Sequence, residues 1–233
     1  LADLKRDIAA LADPERAKNL ARFFKTGEGE YGEGDRFLGL TVPMQNRLAK
    51  KYRELPLKDV LKLLQSPIHE HRLTALMILR FQYERGTPAM QQAIFKAFLA
   101  HTRHVNNWDL VDSSAPYIVG MHLAPRPRTL LRRLAKSKDL WERRIAIVAT
   151  LGLMRQGHIE DTFAIAEILL PDEHDLIHKA TGWMLREAGK RSEPALLAFL
   201  EKNYAAMPRT ALRYAIERFP QAQRKRLLAG LFD

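Results

Sequence analysis

The sequence predicts an all-α protein: helical hairpins stacked as an α-solenoid superhelix. Three observations lead there. Apolar residues recur at spacings of three and four along almost the whole chain, no useful stretch alternates as a strand would, and short related segments return at a regular interval. Align Arg72-Leu-Thr-Ala-Leu76, Trp108-Asp-Leu-Val-Asp112, Arg144-Ile-Ala-Ile-Val148, Lys179-Ala-Thr-Gly-Trp183 and Arg213-Tyr-Ala-Ile-Glu217; their first residues are 36, 36, 35 and 34 apart. Two helices fit each unit, as stacked hairpins require. HEAT-like repeats fit better than tetratricopeptide ones, whose aromatic and small-residue signature is missing. One domain over 1–233 is expected, with 1–66 as an atypical N-terminal helical cap and 67–233 as regular repeats.

In chain order the periodicity predicts helices over 2–11, 14–25, 42–53, 57–65, 68–85, 88–101 and 107–120. It continues with 127–136, 139–155, 160–169, 173–188, 193–204, 208–218 and 221–230. Asp13-Pro14-Glu15, Thr41 before Pro43, Thr87-Pro88 and Glu193-Pro194 mark starts, since proline is tolerated in a first turn that has no donor to lose. Gly86, Gly157 and Gly189 stand where helices should stop. Gly27-Glu-Gly-Glu-Tyr-Gly-Glu-Gly34 is glycine-rich but acidic and lacks the Gly-Lys-Ser/Thr end of a phosphate loop, so it reads as a flexible inter-helix loop.

Composition narrows the function. With 233 residues, 46% apolar, and no cysteine, the chain can bury a large core and cannot rely on disulfides. A formal charge of +11 favours a polyanionic partner. Arg126 to Arg155 alone holds nine basic residues against Asp139 and Glu142. No apolar stretch approaches the ~20 residues of a membrane span, and no basic start precedes an apolar run and a cleavage site. A cytoplasmic protein without a membrane partner is expected, and because the chain opens on Leu1, residues preceding it are expected too.

The repeat register suggests a site. The first aligned residue and the one four later share a helix face, about one turn or ~6 Å apart. Arg72, Arg144 and Lys179 predict a basic stripe on a concave face, and Trp108, Asp112, Arg144, Lys179 and Trp183 fall on three successive repeat helices. Asp112 is a poor helix-interior residue, because a short carboxylate competes with the backbone. A salt bridge to Arg144 would explain it structurally, as core packing would explain either tryptophan.

The combination suits one chemical problem. Purines alkylated at N3 or N7 are cationic, and indole faces attract cations by about 0.5–2 kcal/mol. Their charge also makes them good leaving groups, so no general acid is needed. A single carboxylate beside the sugar would stabilise the oxocarbenium-like state and hold the attacking water. A non-catalytic DNA-structure-binding protein and a protein-binding scaffold stay open at this point. His69-Glu-His71 lacks zinc-protease spacing because position 73 is Leu, and His101 and His104 have no third ligand nearby.

FFKTGEGEYGEGDRFLGLTVP at 23–43, NWDLVDSSAP at 107–116, WERRIAI at 141–147 and HKATGWMLREAGKR at 178–191 resemble the AlkD-type DNA alkylation repair family of HEAT-like DNA glycosylases. The resemblance implies monofunctional excision of 3-alkyladenine and 7-alkylguanine, such as 3-methyladenine and 7-methylguanine, from double-stranded DNA. Neither metal nor cofactor is implied, and base flipping is not expected. On matching positions it implies Asp112 as the catalytic carboxylate, Trp108 and Trp183 flanking the lesion deoxyribose, and Arg144 gripping the nearby phosphate. Lys179, Arg186, Lys190 and Arg191 join the DNA-binding set, with Phe23 standing where some members carry tyrosine. A monomer is expected.

Overall fold

A computed structural model describes residues 1–232, most of them in helices joined by turns and loops. The chain groups into two compact units, Leu1–Ile118 and a second from Val119 onwards. The first contains α1 (Ala2–Ala9), α2 (Pro14–Phe23), α3 (Val42–Lys51), α4 (Leu57–Leu64), α5 (His69–Arg85), α6 (Pro88–Ala100) and α7 (Trp108–Ala115). The second contains α8 (Met121–Leu123), α9 (Thr129–Ala135), α10 (Leu140–Met154), α11 (Glu160–Leu169), α12 (Asp175–Gly189), α13 (Glu193–Asn203), α14 (Arg209–Ala215) and α15 (Gln221–Leu228). Every helix expected from periodicity is present. The aligned segments fall on α5, α7, α10, α12 and α14, so the sequence repeat marks one helix of each hairpin.

Start signals act through their side chains at two of the four expected places. Asp13 accepts from the Arg16 amide at 3.0 Å and Thr87 from Met90 at 3.3 Å. Thr41 makes no such bond, and the cap ahead of Pro194 is Ser192 rather than Glu193. Gly157 ends its helix in the left-handed region, φ +87°. Gly86 is extended instead, and Gly189 is still helical, because the chain continues one residue further before turning. The helix expected over 107–120 changes at Pro116. Proline has no N–H to close the α bond to the carbonyl of residue 112, and Pro116–Gly120 winds as a π-helix.

In the first unit, α5 packs against α3, α4, α6 and α7. It is buried almost all round, including His69, Glu70, His71 and Arg72, as expected of a helix enclosed by neighbours rather than lying on a surface. Its Glu70 organises the segment between α2 and α3. The buried carboxylate accepts the amides of Leu38 at 3.0 Å, Gly39 at 2.7 Å and Leu40 at 3.2 Å. Gly39 is needed there: its φ is +90°, and a Cβ would overlap the Asp13 carbonyl. Upstream in the same segment, Glu30 and Glu33 accept the amides of Gly27 and Gly29, each at 2.9 Å, so acidic side chains supply the turns' acceptors.

In the second unit, α10 packs on α8, α9, α11 and α12, and α12 packs on α10, α11, α13 and α14. The approach of α12 to α14 is close because Gly182 lies at the contact. A Cβ there would overlap the Ala211 carbonyl and sit 2.5 Å from the Tyr214 Cβ.

Glu70→Ala should leave three loop amides without their acceptor, costing ~3 kcal/mol. Thermal melting should show Tm lowered by roughly 6–12 °C; an unchanged Tm would show that the loop is held by other contacts.

Candidate functional site

The first unit carries Phe23, Trp108 and Asp112. Helix α7 begins at Asn107, whose buried side chain accepts the Trp108 amide at 2.8 Å. That cap sets Trp108 as the first helical residue, and Asp112 follows one turn later on the same face. The Trp108 ring stacks on Phe24 with centroids 5.3 Å apart and meets Phe23 edge-on at 5.9 Å. Phe23 is 63% exposed, a large apolar ring presented to solvent beside a half-buried indole. An apolar cavity of about 310 Å³ opens there, lined by Leu20, Phe23, Phe37, Val42, Leu73 and Trp108.

Behind the aromatic layer lies a charged group that the sequence reading missed. His69, 2% exposed, contacts Asp35 through Nδ1 at 2.9 Å and Asp109 through Nε2 at 2.8 Å. Arg72 closes the group with a 2.6 Å bond to Asp35. A neutral imidazole has one N–H, and two carboxylates facing its two nitrogens require two, so the geometry calls for imidazolium. Burial disfavours that charge, but the Asp109 and Asp35 carboxylates outweigh it and raise the His69 pKa to about 9. Asp35 is correspondingly held below the ordinary carboxylate range: burial opposes this, and the His69 bond and Arg72 charge prevail. The only local signal was an acid directly after Trp108; Asp35 stands 34 residues before His69.

The second unit carries Arg144, Lys179, Trp183, Arg186, Lys190 and Arg191. Arg144 on α10 is 5% exposed and donates from a terminal nitrogen to the Leu176 carbonyl in the first turn of α12, at 2.6 Å. Along α12, Lys179, Trp183, Arg186 and Lys190 recur at helical spacing and form one cationic face interrupted by an indole. Its cations are paired. Lys179 meets Asp175 at 2.7 Å, which holds the Asp175 carboxyl below its ordinary value. Arg186 pairs with Glu217, and Lys190 with Glu187 at 2.6 Å. Arg191 donates to the carbonyls of Met154 and Glu187. Of the residues expected to form a basic stripe, Arg72 and Arg144 are therefore buried, and Lys179 is the half-exposed one. Buried guanidinium groups need acceptors, and Asp35 and Leu176 supply them within each unit.

A model of the family described as DNA alkylation repair enzyme matches residues 4–219. The chain belongs to that family. Its members' description concerns repair of DNA alkylation damage, which agrees with a cationic and aromatic helix face in a basic chain. Among solved structures, the family fold recurs in a protein titled "Predicted DNA alkylation repair enzyme from Enterococcus faecalis". It matches with a TM-score of 0.70 and 18% identity, covering 90% of this chain and 97% of that one. No curated protein matches by sequence. Among the described residues, no helix is long and apolar enough to cross a membrane.

The His69 group makes this protein's stability depend on pH. Its folded pKa lies above the unfolded value of ~6.5, so its stabilisation is complete below ~6.5 and is lost as pH rises through the folded value. With the folded value at about 9, the loss across that window is ~3 kcal/mol. Urea unfolding at intervals through the window should show the midpoint falling with pH; in His69→Gln that slope should be absent.

Proposed function

We propose that the protein is a hydrolytic DNA glycosylase acting on cationic N3- and N7-alkylated purines in duplex DNA. The observation that carries this reading is the shared face of α7, where a half-buried indole, Trp108, precedes a carboxylate, Asp112, by one turn beside the exposed Phe23 ring. In the second unit, the α12 face carries Trp183 amid Lys179, Arg186 and Lys190, a surface suited to a DNA backbone.

The proposed reaction breaks the C1′–N bond of the lesion nucleotide. The bonding electron pair leaves with the alkylated purine, which departs neutral because it began as a cation. Positive charge builds on the deoxyribose as the bond lengthens. Indole faces attract that charge, and the Asp112 carboxylate stabilises it more strongly. Water then adds to C1′ and its proton is lost toward Asp112, leaving an abasic site. The leaving group needs no protonation, so one carboxylate is enough where neutral glycosides need two. Trp108 would lie against the sugar, with Phe23 extending the aromatic surface of that face. Base flipping is not required, since the reacting bond rather than the base is what these residues address.

Arg144 is the proposed phosphate grip, with Lys179, Arg186, Lys190 and Arg191 as further backbone contacts. Their carboxylate partners do not oppose this. A surface ion pair contributes only ~0–1 kcal/mol, so a phosphate can displace Asp175, Glu187 or Glu217 at small cost. Buried Arg144 would contribute least by exposure and most by rigidity, its terminal nitrogen held on Leu176.

Release of 7-methylguanine from duplex DNA should be seen with wild type and fall by about 10²–10³-fold in Asp112→Asn, a change that keeps shape and removes charge. Release at the wild-type rate would remove Asp112 from catalysis, and duplex binding without release by wild type would identify a non-catalytic DNA-structure-binding protein. Arg144→Ala should weaken duplex binding and flatten its salt dependence by about one counterion. An unaltered slope would remove the phosphate contact.

A further inference from the structure

The buried group around His69 has a place in the site that core packing does not account for. His69 projects from the first residue of α5 and reaches two separate pieces of chain, Asp35 in the α2–α3 segment and Asp109 in α7. Asp109 is the residue after Trp108. The imidazole face also stacks on Phe37 at 4.6 Å and tilts against Phe24 at 4.9 Å, and Phe24 is the ring on which Trp108 stacks. Two independent routes therefore run from His69 to the indole, one through backbone at Asp109 and one through Phe24. Asn107, which caps Trp108, lies 3.5 Å from the same Asp35 oxygen that His69 engages.

We propose that His69 is a positioning residue that sets the orientation of the Trp108 indole by holding Asp109, Asp35 and Phe24 in one frame.

The charges around it make the hold strong and conditional. Facing His69 are Asp35 from the α2–α3 segment, Asp109 from α7 and Arg72 from its own helix. Arg16 and Glu70 reach the neighbouring cavity wall but are committed elsewhere, Arg16 to the Gly39 carbonyl and Asp13, Glu70 to the loop amides. With His69 protonated the group of two acids, one arginine and one imidazolium is neutral. Deprotonation leaves an excess negative charge and a single N–H for two carboxylates, so one of the bonds to Asp35 and Asp109 is lost and the frame loosens. His69 is 2% exposed behind the aromatic layer, so its proposed effect on rate passes through Trp108.

The inference rests on the proposed role of Trp108, and its test separates the two. The chain has three tryptophans, so the indole N–H signal of Trp108 can be assigned in an NMR spectrum by its loss in Trp108→Phe. In wild type, that signal should shift in step with the His69 ring signals as pH is raised through about 9. In His69→Gln the shift should vanish. The single-turnover rate of 7-methylguanine release should fall at least about tenfold in His69→Gln, with duplex affinity changed less than about threefold, since a misplaced group costs rate rather than binding. A Trp108 signal that stays flat while the His69 ring titrates would overturn the proposal, as would a wild-type release rate in folded His69→Gln. The wild-type titration decides even where His69→Gln does not fold. If wild type releases no base at all, the glycosylase reading fails while the titration still decides whether His69 positions Trp108.

Discussion

A charge taken out of water must meet an opposite charge or a set of hydrogen-bond partners, and the interior of this helical protein is arranged around that requirement. In the first unit, His69, Arg72 and Glu70 all lie in the opening turn of α5 with almost no exposure. All three reach the α2–α3 segment, His69 and Arg72 at Asp35 and Glu70 at the amides of Leu38, Gly39 and Leu40, and His69 also reaches Asp109 in α7. The long α2–α3 segment is tied to the start of α5 by the backbone pairing of Arg36 with Ile68 as well. The buried charges attach it, and with it the aromatic layer of Phe24 and Phe37 that supports Trp108.

The second unit meets the same requirement. Arg144 is buried and donates to the Leu176 carbonyl, which ties α10 to the first turn of α12. Arg143 beside it takes Asp172 at 2.6 Å, just ahead of that helix. Two adjacent arginines thus fix where α12 starts, and the start of a helix sets the azimuth of every later residue on it. Lys179, Trp183, Arg186 and Lys190 inherit their common face from that anchoring. Close packing of α12 on α14, permitted by Gly182, holds the opposite side.

Local chemistry explains how much of this could be read without coordinates. Helix positions follow from apolar periodicity and from proline and cap residues, all of which act within a few residues of one another, and the fourteen expected segments match helices to within a turn or so. The aligned repeat segments fall on α5, α7, α10, α12 and α14, one helix of each hairpin. Pro116 shows the limit of a pattern-based reading. Its lack of an N–H was visible, but the π-helical turn that follows depends on how the helix is held on either side.

By itself the sequence determined an all-α repeat, a strongly basic surface, and the placement of Trp108 with Asp112 and of Lys179 with Trp183 one helical turn apart. Those features depend on spacing along a single helix. Only the tertiary structure decided that Arg72 turns inward to Asp35, Arg144 to Leu176, and that His69 joins Asp35 to Asp109, because those partners lie 32 or more residues away and their pairing is set by how helices and loops pack. The same cationic residue type can face a solvent phosphate or a buried acid. Packing, not residue identity, chooses between them.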